Sequence, residues 1–154
     1  MTADIKHVSG SKVEINLLAL PGDANTMGTV FGGRLLLLMD NAAAIAARRH
    51  SNMLVVTVAV DQVRFLRPIY IGNVINILAS VNRAFNTSME IGVKVISEDT
   101  GNNTKIHVAS AYFTVIAMNE NGQKCKVAQI KPDTSEEERR WNEAGLRKSV
   151  KLKK

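Results

Sequence analysis

Residues 34–49 read RLLLLMDNAAAIAARR, and the fold turns on what this stretch forms. It is too long for an ordinary strand and rich in Leu, Ala and Met, so it reads as a helix. Its apolar residues cover nearly every side, interrupted only by Asp40 and Asn41. A helix apolar all round is expected to be buried. Arg48, Arg49 and His50 close it with charges suited to the negative end of the helix dipole. Just before it, Gly28, Gly32 and Gly33 follow a loop marked by Pro21, Gly22, Asp23 and Asn25.

Working outward, the rest reads as strands. Lys12 to Leu20 is a first strand ahead of the loop. Met53 to Phe65 is β-branched and partly alternating. Val74 to Phe85 alternates apolar with polar, Met89 to Ser97 follows a short turn, and Lys105 to Met118 is a last long strand. Successive strands with short turns imply an antiparallel sheet. One strand, a buried helix and four more strands give an α+β fold, with the sheet curled around the helix and a second copy of the chain completing its cover. After Pro132 the composition changes. Ser135-Glu136-Glu137-Glu138 offers a capped start to a surface helix running to Lys148, docked by Trp141 and Leu146. The organisation is therefore a domain over residues 1–131 and a charged helix and tail over 132–154.

Composition narrows the function. The single cysteine, Cys125, rules out an intrachain disulfide and a four-cysteine metal site, and it fits a reducing compartment. The first twelve residues lack a basic-then-apolar leader, and no run is long enough to span a bilayer. A cytoplasmic protein with no membrane partner is expected. The net charge of +6 favours anionic ligands, although much of the excess lies in terminal lysines read as a solvated, frayed tail. No stretch resembles a helix-turn-helix, so no nucleic-acid partner is expected.

The segment Pro21 to Asp40 has the pattern P-x-x-x-N-x-x-G-x-x-F-G-G-x-x-L-x-x-M-D. It resembles the acyl-CoA thioesterase family of the hotdog fold, which contains bacterial YciA-type enzymes and the cytosolic acyl-CoA hydrolases of animals. The resemblance continues through Arg49-His50-Ser51, Val56-Thr57, Val60-Asp61, Arg67-Pro68-Ile69 and Thr87-Ser88-Met89 into the tail. It implies hydrolysis of acyl-CoA to a free acid and CoA, as in fatty-acid metabolism, with Asp40 and Asn25 as the catalytic pair. It implies no cofactor, because CoA is part of substrate and product. It also implies a homo-oligomer, with dimers as units and three dimers to a hexamer. Residues expected along the CoA path are Thr57, Val58, Asn86, Thr87 and Ser88. Gly72-Asn73 and Phe85-Asn86 depart from the pattern, the second where CoA contacts are expected.

The chemistry is consistent with these residue types. Thioester hydrolysis needs an activated water or a carboxylate nucleophile, and donors for the developing oxyanion. Asp40, mid-helix among apolar residues, supplies the base or nucleophile. Gly32 and Gly33 leave backbone N–H groups accessible at a helix start. Asn25 orients the water or donates to the carbonyl. Gly33 and Asp40 are about 10 Å apart along the helix, so a site using both must be shared between facing helices of two subunits. Taken singly, the residues have plainer roles: Asp40 as an ion-pair partner, Asn25 as a turn cap, Thr87-Ser88 as turn residues, and His50 as a helix-end charge or packing residue. Two alternatives remain: a hotdog dehydratase, which would pair a histidine with an acid, and a non-catalytic acyl-CoA sensor.

Overall fold

Five strands form one antiparallel sheet in the order β2-β4-β5-β6-β3 in the computed structural model, which describes residues 4–153. The strands are β2 (Val13–Leu18), β3 (Leu54–Phe65), β4 (Val74–Ala84), β5 (Ser88–Asp99) and β6 (Thr104–Met118). The helix α1 spans Gly32–Ser51 and packs on one face of this sheet. This is the α+β hotdog arrangement expected from the sequence.

The strand after the helix does not pair with its successor. β3 lies at the far edge against β6, and the connection between β3 and β4 runs under the loop that precedes α1. Hydrogen bonds hold it there: Val30 N–H to Ile69 O at 2.9 Å and Gly72 N–H to Ala19 O at 2.8 Å. Pro68 removes one ladder donor in this connection and disfavours continuing the strand.

Within one protomer α1 is covered on one side. Leu35, Met39, Ala42, Ala43, Ala46 and Ala47 are buried on the sheet, while Leu37 and Ile45 on the opposite face remain exposed. The helix is apolar all round, yet one protomer covers only one side. Of the two roles the sequence leaves to His50, packing is the one seen: it is buried, and its Nε2 bonds the Ala128 carbonyl at 2.6 Å. Asn52, in the left-handed region at φ 57°, caps the helix instead.

Burial holds His50 below the usual imidazole range, opposed by the Ala128 hydrogen bond and reinforced by nearby Lys6. A buried neutral imidazole stabilises the fold fully above the unfolded value of about 6.5, and that contribution is lost as pH falls below it toward the lower folded value. The melting temperature should therefore drop between pH 7.5 and 5.5. His50→Gln should flatten that drop in calorimetric scans.

Two short elements lay beyond the sequence reading. β1 (Ile5–His7) and β7 (Gln129–Lys131) pair in parallel as a separate ribbon. The second helix, α2 (Ser135–Leu152), begins one residue earlier than expected at its cap and runs four residues further than expected. Thr134 is the cap, accepting the Glu137 N–H at 3.1 Å, and Glu137 reaches back to the Asp133 N–H at 2.9 Å.

This helix crosses the sheet face opposite α1. Glu90, between the core residues Met89 and Ile91, accepts from Arg147 at 2.7 and 3.0 Å. Trp141 stacks on the Arg83 guanidinium at 3.5 Å. Gly145 permits that approach, since a Cβ there would collide with the guanidinium. Leu146, expected to dock the helix, is exposed. The expected frayed tail is helical through Leu152, and Lys151 pairs with Asp61 of β3.

Candidate active site

Asp40 sits half-buried in the third turn of α1, where Thr57 of β3 donates from Oγ1 to Oδ1 at 2.7 Å. Among the described residues Thr57 alone hydrogen-bonds this carboxylate, so Oδ2 is left open. A β-bulge fixes Thr57 in place. Thr57 pairs with the core residue Val115, the register then shifts, and Ala59 pairs with Thr114. Val58 is the extra residue and is exposed. The bulge bends the edge strand just after the residue that holds the carboxylate.

A second group of residues lies at the start of α1. Asn25 is locked within its own loop: Oδ1 accepts the Met27 N–H at 2.9 Å and the Thr29 N–H at 3.1 Å, while Nδ2 donates to Thr29 Oγ1 at 2.9 Å. With two backbone donors fixing the oxygen, one Nδ2–H remains free to donate. Phe31 precedes the helix and provides no side-chain cap. Its carbonyl accepts from Arg34 and Leu35, so the Gly32 and Gly33 N–H groups have no partner among the described residues. These are the free donors of a helix N-terminus. A side chain at position 33 would press on the Phe31 ring, 3.3 Å from where its Cβ would lie.

The sequence reading missed the clamp behind this group. Asp23 is buried; its Oδ2 accepts the Leu20 N–H and its Oδ1 accepts Arg34 Nε, both at 2.9 Å. The Leu20 amide foremost, with Arg34, holds the Asp23 carboxyl below the usual carboxylate range against the opposing effect of burial. Asp23 stood in the sequence as one of several loop markers, and its pairing with Arg34 across the glycine-rich stretch had no signature.

The turn Asn86–Ser88 lies elsewhere. Its backbone is used internally: Asn86 O accepts from Val127, and Thr87 O accepts from Ala117. Ser88 Oγ accepts from Lys148 of α2 at 3.3 Å, on the sheet face opposite Asp40. Lys148 also lies 4.1 Å from the centre of the Phe85 ring. The structure thus joins Asp40 to Thr57 and sets Asn25 in the loop that leads into the Gly32–Gly33 start, with no hydrogen bond between the two groups among the described residues. Two cavities, of about 520 and 590 Å³, lie at the end of α1 beside Met53 and Met118 and between α2 and the sheet; neither is lined by Asp40 or Asn25.

The family model of the thioesterase superfamily matches residues 27–104, the stretch carrying the glycine-rich start, α1 and β3 to β5. The chain belongs to the thioesterase superfamily. This thioesterase-superfamily chain is 38% identical over 143 residues to Protein VdlD of Helicobacter pylori, covering 93% of this chain and 82% of that one. Its fold is similar to an acyl-CoA hydrolase from Staphylococcus aureus, solved with butyryl-CoA and CoA, with a TM-score of 0.90 and 32% identity over 97% of this chain and 94% of that one. It is also similar to a hexameric acyl-CoA thioesterase, with a TM-score of 0.94 and 33% identity over 97% of this chain and 96% of that one. Three further structures of the Staphylococcus aureus hydrolase carry alanine in place of an asparagine, an aspartate and a threonine, respectively. Those residues have the mutual spacing of Asn25, Asp40 and Thr57 in this thioesterase-superfamily chain.

Proposed function

We propose that this protein hydrolyses acyl-CoA thioesters to a free carboxylic acid and CoA, in a site shared by two copies of the chain. The carrying observation is the Asp40 carboxylate, held at one oxygen by Thr57 and open at the other. Asp40 takes the proton of a water attacking the thioester carbonyl, or attacks the carbonyl carbon itself. The carbonyl oxygen gains the charge and is met by the Gly32 and Gly33 amides and the free Asn25 Nδ2–H. On the base route the C–S bond then breaks and the departing thiolate takes the proton from Asp40. On the nucleophile route the departure of CoA leaves Asp40 as a mixed anhydride, which water hydrolyses to the free acid, restoring the carboxylate and supplying the thiolate's proton. No cofactor takes part. The match in residue type and spacing to the three positions altered in the Staphylococcus aureus hydrolase supports these roles.

Assembly follows from the same geometry. β3 is a twelve-residue edge strand with Leu54, Val56, Val58 and Val60 exposed along it, and α1 keeps Leu37 and Ile45 exposed. A long apolar edge is a pairing surface. Two-fold pairing there sets α1 of one copy against that of the other, bringing Asp40 toward the partner's helix start. Three such dimers would make a hexamer, and the name of one structural neighbour states that that protein is hexameric. A cytoplasmic location completes the reading, supported by the lone, unpaired Cys125; no helix among the described residues is long and apolar enough to cross a membrane.

CoA release from a ladder of acyl-CoA chain lengths, followed with a thiol reagent, tests the activity. Steady thiol release is expected. Binding without release would favour a sensor, and double-bond formation without release would favour a dehydratase. The histidine within α1 argues against the dehydratase, because His50 lies in the last turn, at the far end from the glycine-rich start, buried on the Ala128 carbonyl.

Thr57 separates two roles. As the partner of Asp40, Thr57→Val should lower kcat about tenfold with KM little changed. As a residue of the CoA path it would raise KM instead. Thr87→Ala with Ser88→Ala should raise KM; an unchanged KM would remove that turn from the CoA path.

A further inference from the structure

We propose that Asp23 is a positioning residue: it locks the Asn25 loop and the Gly32–Gly33 amides into one rigid unit that receives the thioester carbonyl. This rests on the acyl-CoA hydrolase reading above. The carboxylate bonds backward to the Leu20 N–H and forward to Arg34 Nε in the first turn of α1, both at 2.9 Å. Its backbone carbonyl accepts the Phe31 N–H at 3.1 Å, and its own N–H donates to Leu20 O at 2.8 Å. Asp23 is thus tied to both ends of the segment between Leu20 and Arg34. Asn25 and its internal turn lie between those ties, and the two free glycine amides lie immediately before Arg34.

The loop has little else to hold it against the helix start. Asn25 bonds only within the loop, to Met27 and Thr29. The bridges Ala24 to Val30 and Thr29 to Tyr70 hold its backbone, and the Asp23 carboxylate adds the side-chain tie to the first turn of α1. Asp23 is buried, and the Arg34 side chain lies over it partly exposed. A charge-assisted bond of this kind resists displacement better than a neutral one. Oxyanion donors act only when already aimed, so a loop displaced by an ångström loses rate without losing the substrate's grip.

The test uses Asp23→Ala, Asp23→Asn, Arg34→Ala and the double alanine variant in the full chain. Asp23→Ala should lower kcat about 10- to 100-fold, with KM and inhibition by free CoA changed by less than about threefold. Asp23→Asn retains an acceptor for Leu20 but loses the charge facing Arg34, so it should recover part of the rate. Arg34→Ala, at a partly exposed position that folding tolerates, should fall in between. The double variant should be no slower than Asp23→Ala, because both act through one contact. Amide exchange over residues 24–35 should quicken in Asp23→Ala while β4 to β6 exchange as before. A kcat within twofold of the parent at equal folded fraction, a change in KM alone, or multiplicative effects in the double variant would overturn the proposal. If the parent released no CoA from any acyl-CoA, the activity reading would fail. The exchange measurement would still decide the clamp, with unchanged exchange over 24–35 rejecting it.

Discussion

Asp40→Asn should reduce turnover by about 10²–10⁴-fold while leaving the melting temperature nearly unchanged. The amide has the size of the carboxylate and can still accept from Thr57 Oγ1, so the 2.7 Å contact that anchors it survives. What disappears is the open, basic oxygen. Asp40 is half-buried and has no cationic partner among the described residues, so neutralising it strands no buried counter-charge. Activity and stability therefore separate at this position. Measuring kcat and thermal unfolding on one sample distinguishes the roles: retained turnover with a shifted melting temperature would make Asp40 structural. Asn25→Ala should be milder in turnover and costlier in stability, since it removes one donor and also the turn that Asn25 Oδ1 organises.

Mixing two inactive variants should restore activity. If Asp40 of one copy works with Asn25 and the glycine amides of the other, a mixed dimer of Asp40→Asn and Asn25→Ala chains places both lesions in one site and leaves the second intact. Random reassortment should return about a quarter of parent activity, from two preparations each nearly inert. A site contained in one protomer would give no gain on mixing. A companion experiment interrupts pairing directly. Val56→Lys with Val58→Lys puts charge on the exposed face of β3, and the product should be monomeric by light scattering and at least about 100-fold less active. An active monomer would reject the shared site.

Much of the fold was legible because periodicity and punctuation are local. The long Leu-Ala run and the alternation in β4 each announce themselves within a few residues. Asp40 stood out for the same reason, as a charge inside an apolar helix. What escaped depends on contacts distant in sequence. The role of Thr57 follows only once β3 is known to leave the helix and settle at the edge beside β6. His50 stayed open between a helix-end charge and a packing residue because its partner, the Ala128 carbonyl, is 78 positions away. Arg147 read only as part of a charged surface helix, yet it is committed to Glu90 across the sheet. The three-residue ribbon of β1 and β7 is too short for any period to register.

The two margins of the sheet are unlike, and that bears on how far assembly can go. One margin is β3, long and lined with aliphatic side chains. The other is β2, six residues long, with Glu14 and Asn16 facing outward and tied to Asn76. Once two copies join along β3, the combined sheet ends on both sides in β2. A short margin bearing charge and amide groups offers poor purchase for another strand. On the proposed pairing, strand addition would stop at two copies: the adhesive edge is consumed in joining them, leaving no template for a fibre, and a larger assembly would have to use other surfaces.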